Sequence, residues 1–65
     1  MIMEIGIAAG DIWHYLDEYG GGMLSDVVKS VDKPRDVVLM SLGWLAREGH
    51  VTVEGSGDFK ITLRK

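Results

Sequence analysis

The sequence predicts a small α+β domain in which three helices precede a two-stranded β-hairpin. Two segments carry apolar residues at the three- and four-residue spacing of amphipathic helices. The C-terminal segment instead alternates apolar and polar side chains around a glycine-containing turn, which is typical of a hairpin. The chain has 65 residues, enough for one domain, and 46% of them are hydrophobic. This composition favours a folded domain over a disordered tail.

The first helix is predicted from Glu4 to Tyr19. One face of this helix collects the residues that we expect in the core: Ile5, Ala8, Ala9, Ile12, Leu16 and Tyr19. Gly6 and Gly10 lie four residues apart on one side of the helix, and Trp13 borders them. Glycines at this spacing allow another backbone to approach closely. They indicate either tight packing within the domain or a surface for helix–helix self-association.

Glycines and short elements follow the first helix. The run Gly20–Gly22 is expected to end it, since glycine adopts the left-handed C-cap conformation without steric cost. Met23 and Leu24 predict a very brief strand. Ser25 is expected to cap a second helix, Asp26–Val31. The apolar side of that helix is formed by Val27, Val28 and Val31.

A tight turn at Asp32-Lys33-Pro34, with Asp32 as the expected cap, leads into the third and central helix, which we expect to end at Gly49. Val38, Leu42 and Leu45 form its core face, with Gly49 in the same row, and the opposite face holds Asp36, Met40, Gly43 and Arg47. A short helix, a turn and a longer helix are the helix-turn-helix pattern. Leu39 and Met40 make the outer face of the third helix unusually apolar, with Val37 and Trp44 at its margin.

The hairpin is predicted to pair Val51–Glu54 with Phe59–Leu63. A three-residue loop, Gly55–Gly57, would place the apolar residues of both strands on one face. In that register Val53 lies opposite Phe59, and Val51 lies opposite Ile61.

This order of elements is that of a winged helix-turn-helix domain. The chain resembles a family of small bacterial and archaeal winged-helix proteins of uncharacterised function. The resemblance extends over the whole chain and rests on Ile5-Gly6, on Ala9–Trp13 and above all on Leu42–Gly49. It implies the winged-helix fold, whose best-known role is DNA binding, but it carries over no established activity.

No arrangement of residues in the sequence predicts catalysis. His14 and His50 fall in different elements and are expected at the surface, and no cysteine is available as a zinc ligand. Ser56 lies in the hairpin turn and not in a strand-to-helix elbow. No apolar run approaches the roughly 18 residues of a membrane span. We therefore expect a non-enzymatic protein without cofactors or a small-molecule substrate, cytoplasmic by default.

The charges are divided unevenly along the chain. Residues 1–28 contain five acidic and no basic residues, whereas residues 29–65 contain seven basic and five acidic ones. One hypothesis is weak, electrostatic DNA binding, with the third helix in the major groove. The basic residues that would contact DNA are Lys29, Lys33, Arg35, Arg47 and Lys60. The small excess of positive charge, +2, is equally typical of a mixed surface.

The alternative hypothesis is a protein-interaction or homodimerisation module without nucleic acid. It would use the apolar outer face of the third helix, because Met and aromatic residues are enriched in interfaces. The predicted interface residues are Leu39, Met40, Gly43, Trp44, Gly6 and Gly10. Trp44 is equally consistent with a residue at the edge of the core beneath the hairpin.

Overall fold

A computed structural model describes residues 1–64, which form three helices and one sheet of three strands. The elements in chain order are α1 (Ile2–Tyr19), β1 (Gly21–Met23), α2 (Leu24–Ser30), α3 (Arg35–Arg47), β2 (Val51–Glu54) and β3 (Lys60–Leu63). The sheet is antiparallel, with β3 between β1 and β2. The predicted α+β class is confirmed, and β1 adds a third strand to the hairpin. None of the described helices is long and apolar enough to cross a bilayer.

One apolar cluster joins the helices to the sheet. Ile12 and Leu16 from α1 lie in it with Leu42 and Leu45 from α3, as the helical spacing of these residues predicts. Ile61 and other buried residues of the strands close the cluster from the sheet side. Tyr19, predicted in the core, is instead largely exposed. Its ring packs against the ring of Tyr15, with centroids 4.8 Å apart, and does not enter the cluster.

Helix α1 begins two residues earlier than predicted. The N–H of Ile5 donates to the carbonyl of Met1 at 3.0 Å, which closes the first turn. Ile2 and Met3 are exposed, so the core stripe that marks the helix in the sequence begins only after them. At the other end Gly20 has φ 79° and donates its N–H to the carbonyl of Leu16, which is the predicted glycine cap.

The strand β1 is formed mainly by glycines, not by Met23 and Leu24 as predicted. Gly21 pairs with Thr62 and Gly22 with Ile61 of β3. A Cβ on Gly21 would lie 2.9 Å from the carbonyl oxygen of Ile61, and one on Gly22 would lie 3.1 Å from the Tyr15 ring. These two glycines therefore let β1 lie between β3 and α1.

Helix α2 starts at Leu24, and the side chain of its N-cap residue, Met23, makes no capping hydrogen bond. Ser25, the predicted cap, lies inside the helix. Two groups of the hairpin loop perform the capping: the Phe59 carbonyl accepts the N–H of Leu24 at 2.7 Å, and the Asp58 carboxylate accepts both the N–H and the hydroxyl of Ser25 at 2.8 Å. The loop thus satisfies backbone donors that a helix start leaves unpaired.

These contacts lower the pKa of Asp58. The main cause is the hydrogen bond from the Ser25 hydroxyl, followed by that from the Ser25 N–H. Desolvation opposes them, and the weaker effects of the positive charges of Arg35 and Lys29 lower the pKa further. A group whose pKa is lower in the folded state stabilises the fold above its unfolded pKa of about 4, and this stabilisation is lost as the pH falls through the folded value.

We therefore expect the melting temperature of the wild type to fall more steeply below about pH 4 than that of Asp58→Ala. Asp58→Asn is the matched variant, because it keeps an acceptor for the Ser25 N–H but cannot ionise. It should melt above Asp58→Ala at neutral pH and share its flatter acid profile. Thermal melts followed by circular dichroism at several pH values measure this. Parallel profiles for all three proteins would contradict the capping role.

Helix α3 begins at Arg35 after Pro34, whose carbonyl accepts the N–H of Val38 at 3.0 Å. Asp32 does not cap it, because the residue at the N-cap position is Pro34. The helix ends after Arg47, with Gly49 at φ 79°. The N–H of Gly49 bonds to the carbonyl of Ala46, and the N–H of His50 to that of Leu45. This pair of bonds is a Schellman motif.

The predicted hairpin register was wrong by two residues. Val53 lies opposite Ile61, and Val51 lies opposite Leu63, so the loop spans residues 55–59. The bonds of Asp58 and Phe59 to α2 turn these two residues away from β2. The shift is even, so Val51, Ile61 and Leu63 still share the buried face.

Candidate nucleic-acid interface

Helix α3 presents an exposed outer face that is only partly polar. Asp36, Gly43 and Arg47 lie on it as predicted, while Leu39 and Met40 are 39% and 42% exposed. Val37, predicted at the margin of this face, is buried. Two large apolar side chains thus face solvent at the centre of the helix, where a reader of DNA bases would carry hydrogen-bonding groups.

Lys33 is less available for DNA than the sequence suggests. Its Nζ lies 3.2 Å from a carboxylate oxygen of Asp11 on α1 and 3.3 Å from the carbonyl of Asp32. Lys33 is also half-buried. Its charge is therefore locally balanced, and it ties the turn before α3 to α1.

The other predicted DNA contacts are exposed but spread out. Lys29 on α2 and Arg35 at the start of α3 both lie near Asp58. Lys60 lies opposite Glu54 in the sheet, and Arg47 lies in the last turn of α3. Arg35 and Arg47 are 12 residues apart on one helix, which separates them by about 18 Å along its axis. The structure thus places basic groups at both ends of α3 but forms no dense basic patch among them.

An apolar groove lies beside this face. It has a volume of about 370 Å³ and is lined by Ile2, Ile5, Gly6 and Trp44. Trp44 is 49% exposed, and its ring faces that of His50 at a centroid distance of 6.2 Å. Trp44 therefore lies at the edge of the core, against the start of α1. Leu39 is on the same helix but about 140° away around its axis, so these two predicted interface residues belong to different surfaces.

Gly6 and Gly10 open onto space. A Cβ added to either glycine would meet nothing within 4 Å, so tight packing within the domain does not explain them. That alternative was wrong. Gly6 contributes to the floor of the groove, and Gly43 on the outer face of α3 is equally unobstructed.

Ser41 is a residue that sequence reasoning missed. It is fully buried, and its hydroxyl oxygen lies 2.7 Å from the Val37 carbonyl oxygen and 3.1 Å from the Ile5 carbonyl oxygen of α1. The single hydroxyl proton is shared between these acceptors. The sequence does indicate its burial, because Ser41 is three residues after Val38 and four before Leu45, on the buried face of α3. Ser41 joins α3 to α1 at Ile5, one of the residues that line the groove.

Comparisons with known proteins identify the family of this domain. The family model described as winged helix-turn-helix domain (DUF2582) matches residues 1–64. The chain belongs to this family. The solution NMR structure of protein BT2368 from Bacteroides thetaiotaomicron is similar, with 31% sequence identity and a TM-score of 0.78 over 94% of this chain and 76% of that chain. No curated protein matches the chain.

In winged helix-turn-helix terms, α2, the turn through Pro34 and α3 form the helix-turn-helix, and β2 and β3 form the wing. The predicted resemblance to small winged-helix proteins is confirmed. Proteins of this architecture are typically non-enzymatic, and the fold is commonly DNA-binding. In DNA-binding proteins of this fold, the second helix of the helix-turn-helix enters the major groove.

Proposed function

We propose that this domain is a non-enzymatic DNA-binding module that places α3 in the major groove and the wing against the backbone. The observation that carries the proposal is the position of Arg35 and Arg47, both exposed, at opposite ends of a helix whose outer face is open to solvent. Their separation suits phosphates on both sides of a groove about 12 Å wide. A cytoplasmic location accompanies this proposal, because winged-helix proteins that bind chromosomal DNA in bacteria and archaea work there.

The proposed binding is weak and largely independent of DNA sequence. Leu39, Met40 and Gly43 offer no side-chain donors or acceptors to base edges, so direct readout would be limited to apolar contact with thymine methyl groups. Lys29, Arg35, Arg47 and Lys60 would supply the phosphate contacts, with Lys33 contributing less because of Asp11. Affinity should therefore fall steeply with salt concentration.

A second candidate function is an interaction, without nucleic acid, with another protein or a second copy of the chain through the outer face of α3. The exposure of Leu39 and Met40 favours it, because contiguous exposed apolar groups commonly mark interaction sites. Gly43, about one helical turn after them, leaves room for a partner to approach closely.

The substitution Met40→Lys separates the two candidates. Met40 is exposed, so the variant should fold. In the DNA mode the added charge should strengthen binding to a mixed-sequence duplex and raise the salt dependence by about one phosphate contact. In the apolar mode it should weaken self-association and leave the duplex unbound. Fluorescence anisotropy with labelled duplex at several salt concentrations measures DNA binding, and sedimentation velocity of the protein alone measures self-association. Met40→Gln is the uncharged control in both experiments.

A further inference from the structure

The first turns of α1 form an uncharged surface that is separate from the outer face of α3. Ile2 and Met3 are 88% and 75% exposed, the largest values among the big apolar side chains of residues 1–64. At about 100° per residue, they share an arc of roughly 100° with Gly6, Gly10 and Trp13. We call this surface, together with Trp44 across the groove, the α1 patch.

Three of the four acidic residues of α1 lie elsewhere around the helix. Glu4, Asp11 and Glu18 lie more than about 100° from the centre of the arc, and Asp17 lies within the arc but in the last turn of the helix. Glu4 forms an ion pair with the amino group of Met1 at 3.2 Å, and Asp11 forms one with Lys33. Two α1 patches could therefore face each other around Ile2 and Gly6 without bringing carboxylates to the centre of the contact, although the chain has a net charge of −3.

We propose that the α1 patch binds a second copy of this chain around a two-fold axis. The patch contains both parts that such a contact needs: an apolar groove over Gly6, and protruding apolar side chains, Ile2 and Met3, beside it. In a two-fold pair the Ile2 and Met3 side chains of each copy enter the groove of the other. The open space over Gly6 and Gly10 lets the two α1 helices approach closely.

The available area is sufficient for a small dimer. Large apolar side chains expose about 150–250 Å² each when unpacked, so the exposed fractions of Ile2, Met3, Trp13 and Trp44 amount to on the order of 500 Å². The glycine backbone and the neighbouring Ile7 add to this value. Specific interfaces bury about 600–1,000 Å² on each partner. With these additions the patch comes to the lower end of that range, on a total surface of 4242 Å².

The proposed dimer stands independently of DNA binding. It leaves Arg35 and Leu39 uncovered, because they lie about 180° and 140° from Trp44 around the axis of α3. If α3 does bind DNA, the dimer would present two such helices. If α3 does not, the dimer is unaffected.

The test is sedimentation velocity from about 10 μM to 1 mM protein, a range that covers weak association. Gly6→Glu is the blocking variant, since its Cβ would meet no atom within 4 Å and its charged side chain would fill the groove. Gly43→Glu is the matched control, with the same substitution at an equally open glycine on the outer face of α3. Circular dichroism checks that both variants remain helical.

We expect the wild type and Gly43→Glu to dimerise, and Gly6→Glu to raise the dissociation constant at least about tenfold. A wild type that stays monomeric at the highest concentration would overturn the proposal. So would a Gly6→Glu variant that dimerises as well as the wild type. Loss of the dimer in Gly43→Glu alone would overturn it as well, because this would place the contact on the outer face of α3.

Discussion

Replacement of Leu45 by alanine is expected to lower the free energy of unfolding by about 2–5 kcal/mol. Leu45 is buried in the cluster formed by α1, α3 and the sheet, so the substitution removes apolar contacts and leaves a cavity. A domain of this length has a total stability of about 3–10 kcal/mol. The variant should therefore lose most of its stability.

Leu39→Ala is the matched control, since it removes the same atoms from a position on α3 that is 39% exposed. It should cost less than about 1 kcal/mol. Urea unfolding followed by circular dichroism gives both values. If Leu45→Ala melted within a few degrees of the wild type, or if both variants were equally destabilised, the assignment of the two faces of α3 would be wrong.

The core and the order of helices could be predicted because they depend on local periodicity. Leu42 and Leu45 repeat at helical spacing and were placed correctly against Ile12 and Leu16. The helix ends at Gly20 and Gly49 could be predicted because they depend on the glycine alone, which adopts the left-handed conformation freely. The helix-turn-helix needed only the apolar stripes and Pro34 between them.

The features that sequence reasoning missed depend on contacts between distant residues. The hairpin register follows from Asp58, which binds Ser25 33 residues earlier in the chain, and no pattern within the hairpin reveals that bond. In the same way, nothing near Lys33 indicates that Asp11 balances its charge. The spacing of Gly6 and Gly10 could not show whether those positions are packed or open, because the answer depends on where α3 lies.

Removing both arginines of α3 should reduce DNA affinity by about 10–100-fold at 50 mM salt, because two phosphate contacts are lost. Each lost contact should also lower the slope of log K against log salt by about 0.9. Arg35 and Arg47 are exposed at the two ends of the helix, so the double variant Arg35→Ala/Arg47→Ala should keep its fold. The charge-matched control is Lys29→Ala/Lys33→Ala, which also removes two positive charges. One of these, Lys33, is already paired with Asp11, so the loss should be smaller.

The direct measurement is the salt-dependent affinity of the wild type and these two double variants for a mixed-sequence duplex of about 20 base pairs, a length that covers two turns of DNA. If α3 binds DNA, the wild type binds at low salt, and the arginine variant shows the larger loss and a salt slope lower by about two contacts. Absence of wild-type binding at low salt, or equal losses in the two double variants, would contradict the placement of α3 in the major groove.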